Sequence, residues 1–215
     1  MSGMMLNIVG GNFSPTVPTV IGQAFGGGFY AGQIGVSGVA THYLIVGPVA
    51  SAQSTLAWKN ANTATPGADS LIDGPQNTAD MVADGNATVY PCAHFCNDLV
   101  IGGQTDWYMP AKNELEVCYY NLKPTTSTNA TGGTNGINLN AIPSRPTGYT
   151  TSDPAQTSAT DFRDTGTEDF SLVYYWCSTK LLSAYARYQT FSNGSQSTDF
   201  KTPANPVRAI RRIPV

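Results

Sequence analysis

Charge is what this 215-residue chain has least of: Asp, Glu, Lys and Arg make up only 12% of it, about half the share usual in globular proteins. The net charge is −3, so there is no basic footprint for a nucleic-acid partner. Only two histidines are present, which leaves little for acid–base chemistry near neutral pH. No apolar run approaches the roughly 20 residues of a membrane-spanning helix, and membrane insertion is not expected. The opening stretch "MSGMMLNIVGGNFSPTVPTV" has no basic segment followed by a long apolar core, which argues against a signal peptide. The four cysteines, Cys92, Cys96, Cys118 and Cys177, lack the spacing of a disulfide framework and read as reduced and buried.

What is present is enough apolar material for a core, 41% of residues, with 10% aromatic. Solubility comes from Ser, Thr, Asn and Gly, as in secreted, virion or surface-exposed β-rich proteins. Residues 1–23 carry "SPTVPTV", whose prolines forbid a helix and favour an extended arm that packs on another subunit. Residues 24–215 then read as one domain. "FGGGFYAGQI" and "THYLIVGPV" are strands bounded by Gly and Pro, and "NANTATPGADSLIDGPQNT" is a loop rich in breakers. Cys92, Phe95, Cys96 and Leu99 make one face of a short helix from Pro91 to Leu99. A second helix follows Pro110, with Ala111, Leu115, Cys118, Tyr119 and Leu122 as its stripe and Pro124 as its stop. Residues 124–165 hold little to bury and read as a long loop. Strands return at "FSLVYYWCST" and "VRAIRRI", which gives an α+β domain. Trp107, Leu115, Cys118, Tyr119, Tyr175, Trp176, Val207 and Ile210 are its expected core.

Candidate chemistry is sparse. Cys92, His94 and Cys96 lack a second ligand pair and read as a helix face, with no metal and no cofactor expected. Asp106 and Trp107 read as turn and core residues, Glu114 as a helix-cap charge and Glu116 as solvated, with one of these glutamates able to pair with Arg208 or Arg211. Arg208, Arg211 and Arg212 form a small cluster, too small to argue strongly for a phosphate or anionic sugar. No Ser-His-Asp pattern, phosphate loop or paired catalytic carboxylate stands out, so no enzymatic activity is expected.

Three signatures, "GGQTDWYMPAKNELEVCYYNL", "YYWCST" and "VRAIRRI", occur in the order and spacing of the C-type lectin-like C-terminal domains of phage tail-fibre proteins and bacterial adhesins. The chain resembles these from about Gly26 to Val215. It departs from the family pattern at Cys177, Lys180 and Met109. The resemblance implies a C-type lectin-like fold of two short helices packed on antiparallel strands with long loops. The formylglycine-generating oxygenases share that fold but need a paired cysteine site, and Cys118 and Cys177 lie in no matching motif.

A narrower resemblance, to the variable proteins of diversity-generating retroelements, concerns residues 177–206. In those proteins adenine-directed mutagenesis rewrites chosen codons just before the final strand, so that an Asn codon becomes Ser, Thr, Tyr, Asp, Phe, Leu, Arg, Ala, Pro or Cys but never Lys, Gln, Glu, Met or Trp. Between Leu181 and Pro206 nearly every residue belongs to the reachable set, while Gln189, Gln196 and Lys201 must be framework. The resemblance implies a phage receptor-binding protein, located on the virion tail or surface and joined to other tail proteins. It would be a homotrimer whose diversified segment contacts a host cell-surface protein or glycan. The alternatives are a bacterial cell-surface adhesin of the same fold and a virion decoration protein. The implied ligand-binding residues are Leu181, Leu182, Tyr185, Arg187, Tyr188, Thr190, Ser192, Ser195, Ser197, Asp199, Phe200, Thr202 and Asn205, expected on one continuous exposed surface. Tyr185, Arg187, Tyr188 and Phe200 are the expected hot spots, since planar side chains give large contact area for little rotamer entropy.

Overall fold

The computed structural model describes residues 17–215. The part of the N-terminal arm before Val17, with its expected docking on another subunit, lies outside these residues. The last part of the arm is tied to its own domain: Gly22 N–H donates to the Tyr30 carbonyl and Tyr30 N–H to that of Gln23.

Ten strands and four α-helices follow in the order β1 (Ala24–Phe25), β2 (Gly28–Val36), β3 (Val39–Val46), α1 (Val49–Ala52), β4 (Gln53–Ala57), α2 (Gly74–Asp84), α3 (Pro91–Asn97), α4 (Lys112–Leu122), β5 (Ala141–Ile142), β6 (Tyr174–Lys180), β7 (Tyr185–Thr190), β8 (Gln196–Phe200), β9 (Ala204–Arg208) and β10 (Ile210–Pro214). The architecture is α+β with three antiparallel sheets. The first runs β1-β2-β3-β10 with β5 beside β2, the second is the pair β4-β9, and the third is β6-β7-β8. None of the helices in the described residues is long and apolar enough to cross a membrane.

Local chemistry explains the elements. Strands β2 and β3 join through Ser37 and Gly38, both at positive φ (52° and 78°), the backbone that a tight hairpin turn demands. Helix α4 starts where Glu114 Oε2 accepts the Ala111 N–H at 2.8 Å, and Lys123 leaves the helix before Pro124. Helix α2 corrects the loop read there: Asp73 caps it by accepting the Gln76 N–H, and Pro75 stands in its first turn. Its apolar face is too short for a periodicity signal, Met81 being its one fully buried large apolar residue.

"VRAIRRI" is two strands rather than one. Its first half pairs with β4 and its second with β3. At the crossover, Ala209 donates to the Ala52 carbonyl and accepts from Gly47 N–H. The 124–165 stretch also buries more than its composition suggests. Asn138, Asn129, Tyr149, Thr157 and Phe162 are all buried in it, because its polar groups find partners on α4 (Asn129 with Tyr119 Oη, Asn138 with the Asn113 carbonyl, Tyr149 with Glu116) as well as on its own backbone.

Two adjoining apolar clusters make the interior. Leu44, Leu115, Cys118, Tyr119, Phe162, Phe170, Tyr175, Phe191 and Ile210 belong to one, Trp58, Tyr90, Met109, Trp107, Trp176, Ala186 and Val207 to the other. All eight expected core residues are 2% exposed or less. The four cysteines are free and buried.

Charged groups in the interior are paired or, at Lys123 and Lys201, held by backbone carbonyls. Glu116 is not solvated: it is fully buried, bonded to Arg145, Asn138 Nδ2 and Tyr149 Oη. Neither glutamate of α4 meets Arg208 or Arg211. Arg208 holds Glu168 at 2.7 Å and the carbonyls of Gly47 and Glu168, while Arg211 grips Asp106 through two nitrogens at 2.7 and 2.9 Å. Arg212 reaches Asp73 at 3.0 Å. Each arginine of the C-terminal cluster therefore already has its anion within the fold.

Candidate functional site

The segment before the final strands is an ordered β-hairpin. Strands β7 and β8 pair in regular register, Tyr185 with Phe200, Arg187 with Thr198 and Gln189 with Gln196. Because side chains alternate across a strand, these three pairs share one face of the sheet and Ala186, Tyr188, Ser197 and Asp199 share the other.

Three residues hold this hairpin from within. Gln189, 1% exposed, donates through Nε2 to the Gly194 carbonyl across the turn. Gln196 is clasped by the neighbouring loop: its N–H donates to Asn135 Oδ1, and its Oε1 accepts from Gly136 N–H. Lys201 is fully buried just past β8, and its Nζ donates to the Thr63 and Ser183 carbonyls and to Thr65 Oγ1 at 2.8 to 3.1 Å, 4.7 Å from the centre of the Trp58 ring. Its ammonium has three donors and three acceptors, a full complement. Burial still pulls its pKa down to about 8, with the Lys59 and Lys180 charges adding to the effect. Gly194 is a fourth fixed point. Its φ is 77°, and a Cβ there would fall 2.4 Å from the Tyr119 ring.

None of the thirteen expected contact residues is fully buried, but they do not form one surface. Leu181 and Leu182 sit exposed at the β6–β7 turn, while Ser192 and Ser195 are half-buried at the β7–β8 turn with Thr190 at its base. Thr202 and Asn205 leave the hairpin altogether, Asn205 pairing with Leu56 in the β4-β9 sheet. Tyr188 faces the interior, its ring 4.5 Å from that of Tyr174 and 6.4 Å from that of Trp176. Asp199 lies on that same side, where Tyr174 Oη donates to it at 3.3 Å, while Ser197 is exposed. Ala186 and Phe191, within the same segment, are buried outright, Phe191 stacking on Phe170 at 4.0 Å.

The open face is smaller and better defined. Tyr185 and Phe200 stack at 4.7 Å with an interplanar angle of 25°, Phe200 remaining 45% exposed. One ladder step along stands Arg187, which lines a cavity of about 340 Å³ together with Leu71, Lys112, Asn113, Thr134, Ile137, Leu139 and Asn140. Leu71 and Leu139 are both exposed. Burial lowers the pKa of Lys112, and the nearby Arg187 charge adds to this against the opposite pull of Cys177 and Glu116. These walls come from α4 and from loops that the sequence places far from Arg187, and no local pattern marks Lys112 as a neighbour of the hairpin.

No protein-family model matches this chain, and no curated protein matches it. Among solved structures the chain is similar to a fimbrial protein from Bacteroides ovatus ATCC 8483, at 12% identity and a TM-score of 0.47. The likeness covers 85% of this chain and 43% of that one, so the chain spans less than half the length of the fimbrial protein.

Proposed function

We propose that this chain is a non-catalytic binding module of C-type lectin-like fold, the receptor-binding tip of a phage tail fibre, whose β7–β8 hairpin contacts a ligand on the host cell surface. The observation that carries the reading is the division of labour within the hairpin. Gln189, Gln196 and Lys201, the residues that adenine mutagenesis of Asn codons does not produce, each bond backbone groups through their side chains and so fix the hairpin. Tyr185, Arg187 and Phe200, which it does produce, stand on the open face beside a cavity. A scaffold held from below can exchange what it displays above.

The absence of catalysis in this reading is supported by the state of the reactive groups. Burial raises the pKa of all four thiols, and Glu114 and Glu116 are each occupied by structural partners. In the same reading the N-terminal arm joins copies into a homotrimer, which light scattering on the intact chain reads directly.

The test is adsorption. Fluorescently labelled protein is incubated with a panel of bacterial strains and cell-bound signal is read by flow cytometry. Wild type stains at least one strain, and a Tyr185→Ala/Arg187→Ala/Phe200→Ala variant with an unchanged melting temperature loses the stain. Equal staining by the variant, or none by the wild type on any strain, overturns the proposal.

A further inference from the structure

The chain has few cations, and nearly all are already in use. Lys59, Lys180, Arg145, Arg208, Arg211 and Arg212 each hold a carboxylate. Lys123, Arg163 and Lys201 are held by backbone carbonyls. Two remain. Lys112 Nζ donates only to the Asn113 side-chain carbonyl, and the Arg187 guanidinium makes no hydrogen bond among the described residues although its Nε is buried. Both line the same cavity.

Two like charges without an ion-pair partner on one partly desolvated cavity raise each other's energy, whereas every other Arg has a carboxylate or a carbonyl to hold. An anion seated between them would remove the repulsion and fill the empty donors of a guanidinium shaped to take a carboxylate. The rest of the wall narrows the choice of ligand. It is aliphatic, Leu71, Ile137 and Leu139, with amides at Asn113 and Asn140 and no aromatic ring. A pyranose ring stacks on aromatic faces, whereas an aliphatic wall fits a Leu, Ile or Val side chain, and the amides fit a peptide backbone.

We infer that the Lys112–Arg187 cavity is the subsite for an acidic peptide segment of the host-surface receptor, seating one Asp or Glu carboxylate beside an aliphatic side chain. This rests on the receptor-binding reading and specifies its ligand. Lys112, on α4, is outside the hairpin, so the charge requirement is partly built into the framework.

The probe is a pair of immobilised octapeptide arrays, one with a single Asp or Glu flanked by Leu, Ile or Val, the other with Asn or Gln in the acidic position. Wild-type protein is expected to bind members of the acidic array at least about tenfold more tightly than their amide counterparts, and the preference to fall with added salt. Lys112→Gln and Arg187→Gln, with melting curves matching wild type, are expected to abolish the preference. Equal binding to both arrays, binding to neither, or tighter binding to an oligogalacturonate than to any acidic peptide would overturn the inference. These outcomes are separable from the adsorption test: cells stained through Tyr185 and Phe200 with no acid preference leave the receptor-binding reading intact and remove only this subsite.

Discussion

Glu114 shows how much of this molecule is decided at single buried residues. Its carboxylate is fully buried, accepts the Ala111 and Gly74 N–H groups through Oε2, and takes the Tyr108 hydroxyl at 2.8 Å through Oε1. Burial pushes its pKa up to about 7, against the downward pull of Ala111, Tyr108 and Arg212. A carboxyl whose pKa is higher folded than unfolded binds its proton more tightly in the native state, so its contribution to stability is full below about pH 4.5 and lost as pH rises through 7. The size is about 3 kcal/mol at 1.36 kcal/mol per unit. Glu114→Gln keeps an oxygen for the two amides and offers its NH₂ to Tyr108 Oη, but cannot titrate. The stability of wild type relative to this variant, from urea melts across pH 4 to 8, should therefore decline by that order between pH 4.5 and 7.5. A constant difference would mean that folding does not raise the pKa of Glu114. The sequence marks this residue as a helix cap, which it is, but burial depends also on Gly74 closing over it from 40 residues away, a contact that is not local.

At the scale of elements, what could be read from the sequence depended on whether a signal was local. Helices α3 and α4 carry full apolar stripes and were legible almost to their ends, as was the strand β6 around Trp176. Helix α2 was not, because its cap is short-range but its burial comes from Gly74, Asn77 and Thr78, which look like loop residues. In the hairpin the framework positions could be picked out by residue type, yet the face that each side chain takes is fixed by register, which pairing with β6 sets. Tyr188 is the clearest case: as a large aromatic in the segment it reads as a hot spot, but the register Trp176 with Tyr188 turns it inward. The consequence is a contrast between two tyrosines three residues apart. Tyr188→Ala should cost about 2 to 4 kcal/mol by opening a cavity against Tyr174 and Trp176, whereas Tyr185→Ala, on the open face, should stay within about 1 kcal/mol. Chemical denaturation of the two variants distinguishes them, and equal losses would mean that the open face is itself part of the core.

For the whole molecule, the question is whether stability and recognition are separable, since the proposed receptor-binding reading requires that they are. The interior closes without the open face: Trp58, Trp107, Trp176, Phe170 and Phe191 are all buried, and Arg208 pins the crossing between the second and first sheets. Substitution at Tyr185, Arg187, Thr198 and Phe200 therefore changes little that the fold depends on, each position falling in the range usual for surface sites. Ala186, Tyr188, Gln189 and Phe191 interleave with them along the same strand and its turn, yet each contacts the core or pins the turn. Truncating Phe191 alone should cost about 3 to 5 kcal/mol. Two displayed libraries make the comparison, one randomised at the first four positions and one at the second four, both selected for resistance to protease. Most members of the first should survive and few of the second, since four inward changes together exceed the roughly 5 to 15 kcal/mol that holds a domain of ordinary stability folded. Similar survival of the two libraries would show that this hairpin does not divide its residues between holding and displaying, and the receptor-binding reading would lose the observation on which it stands.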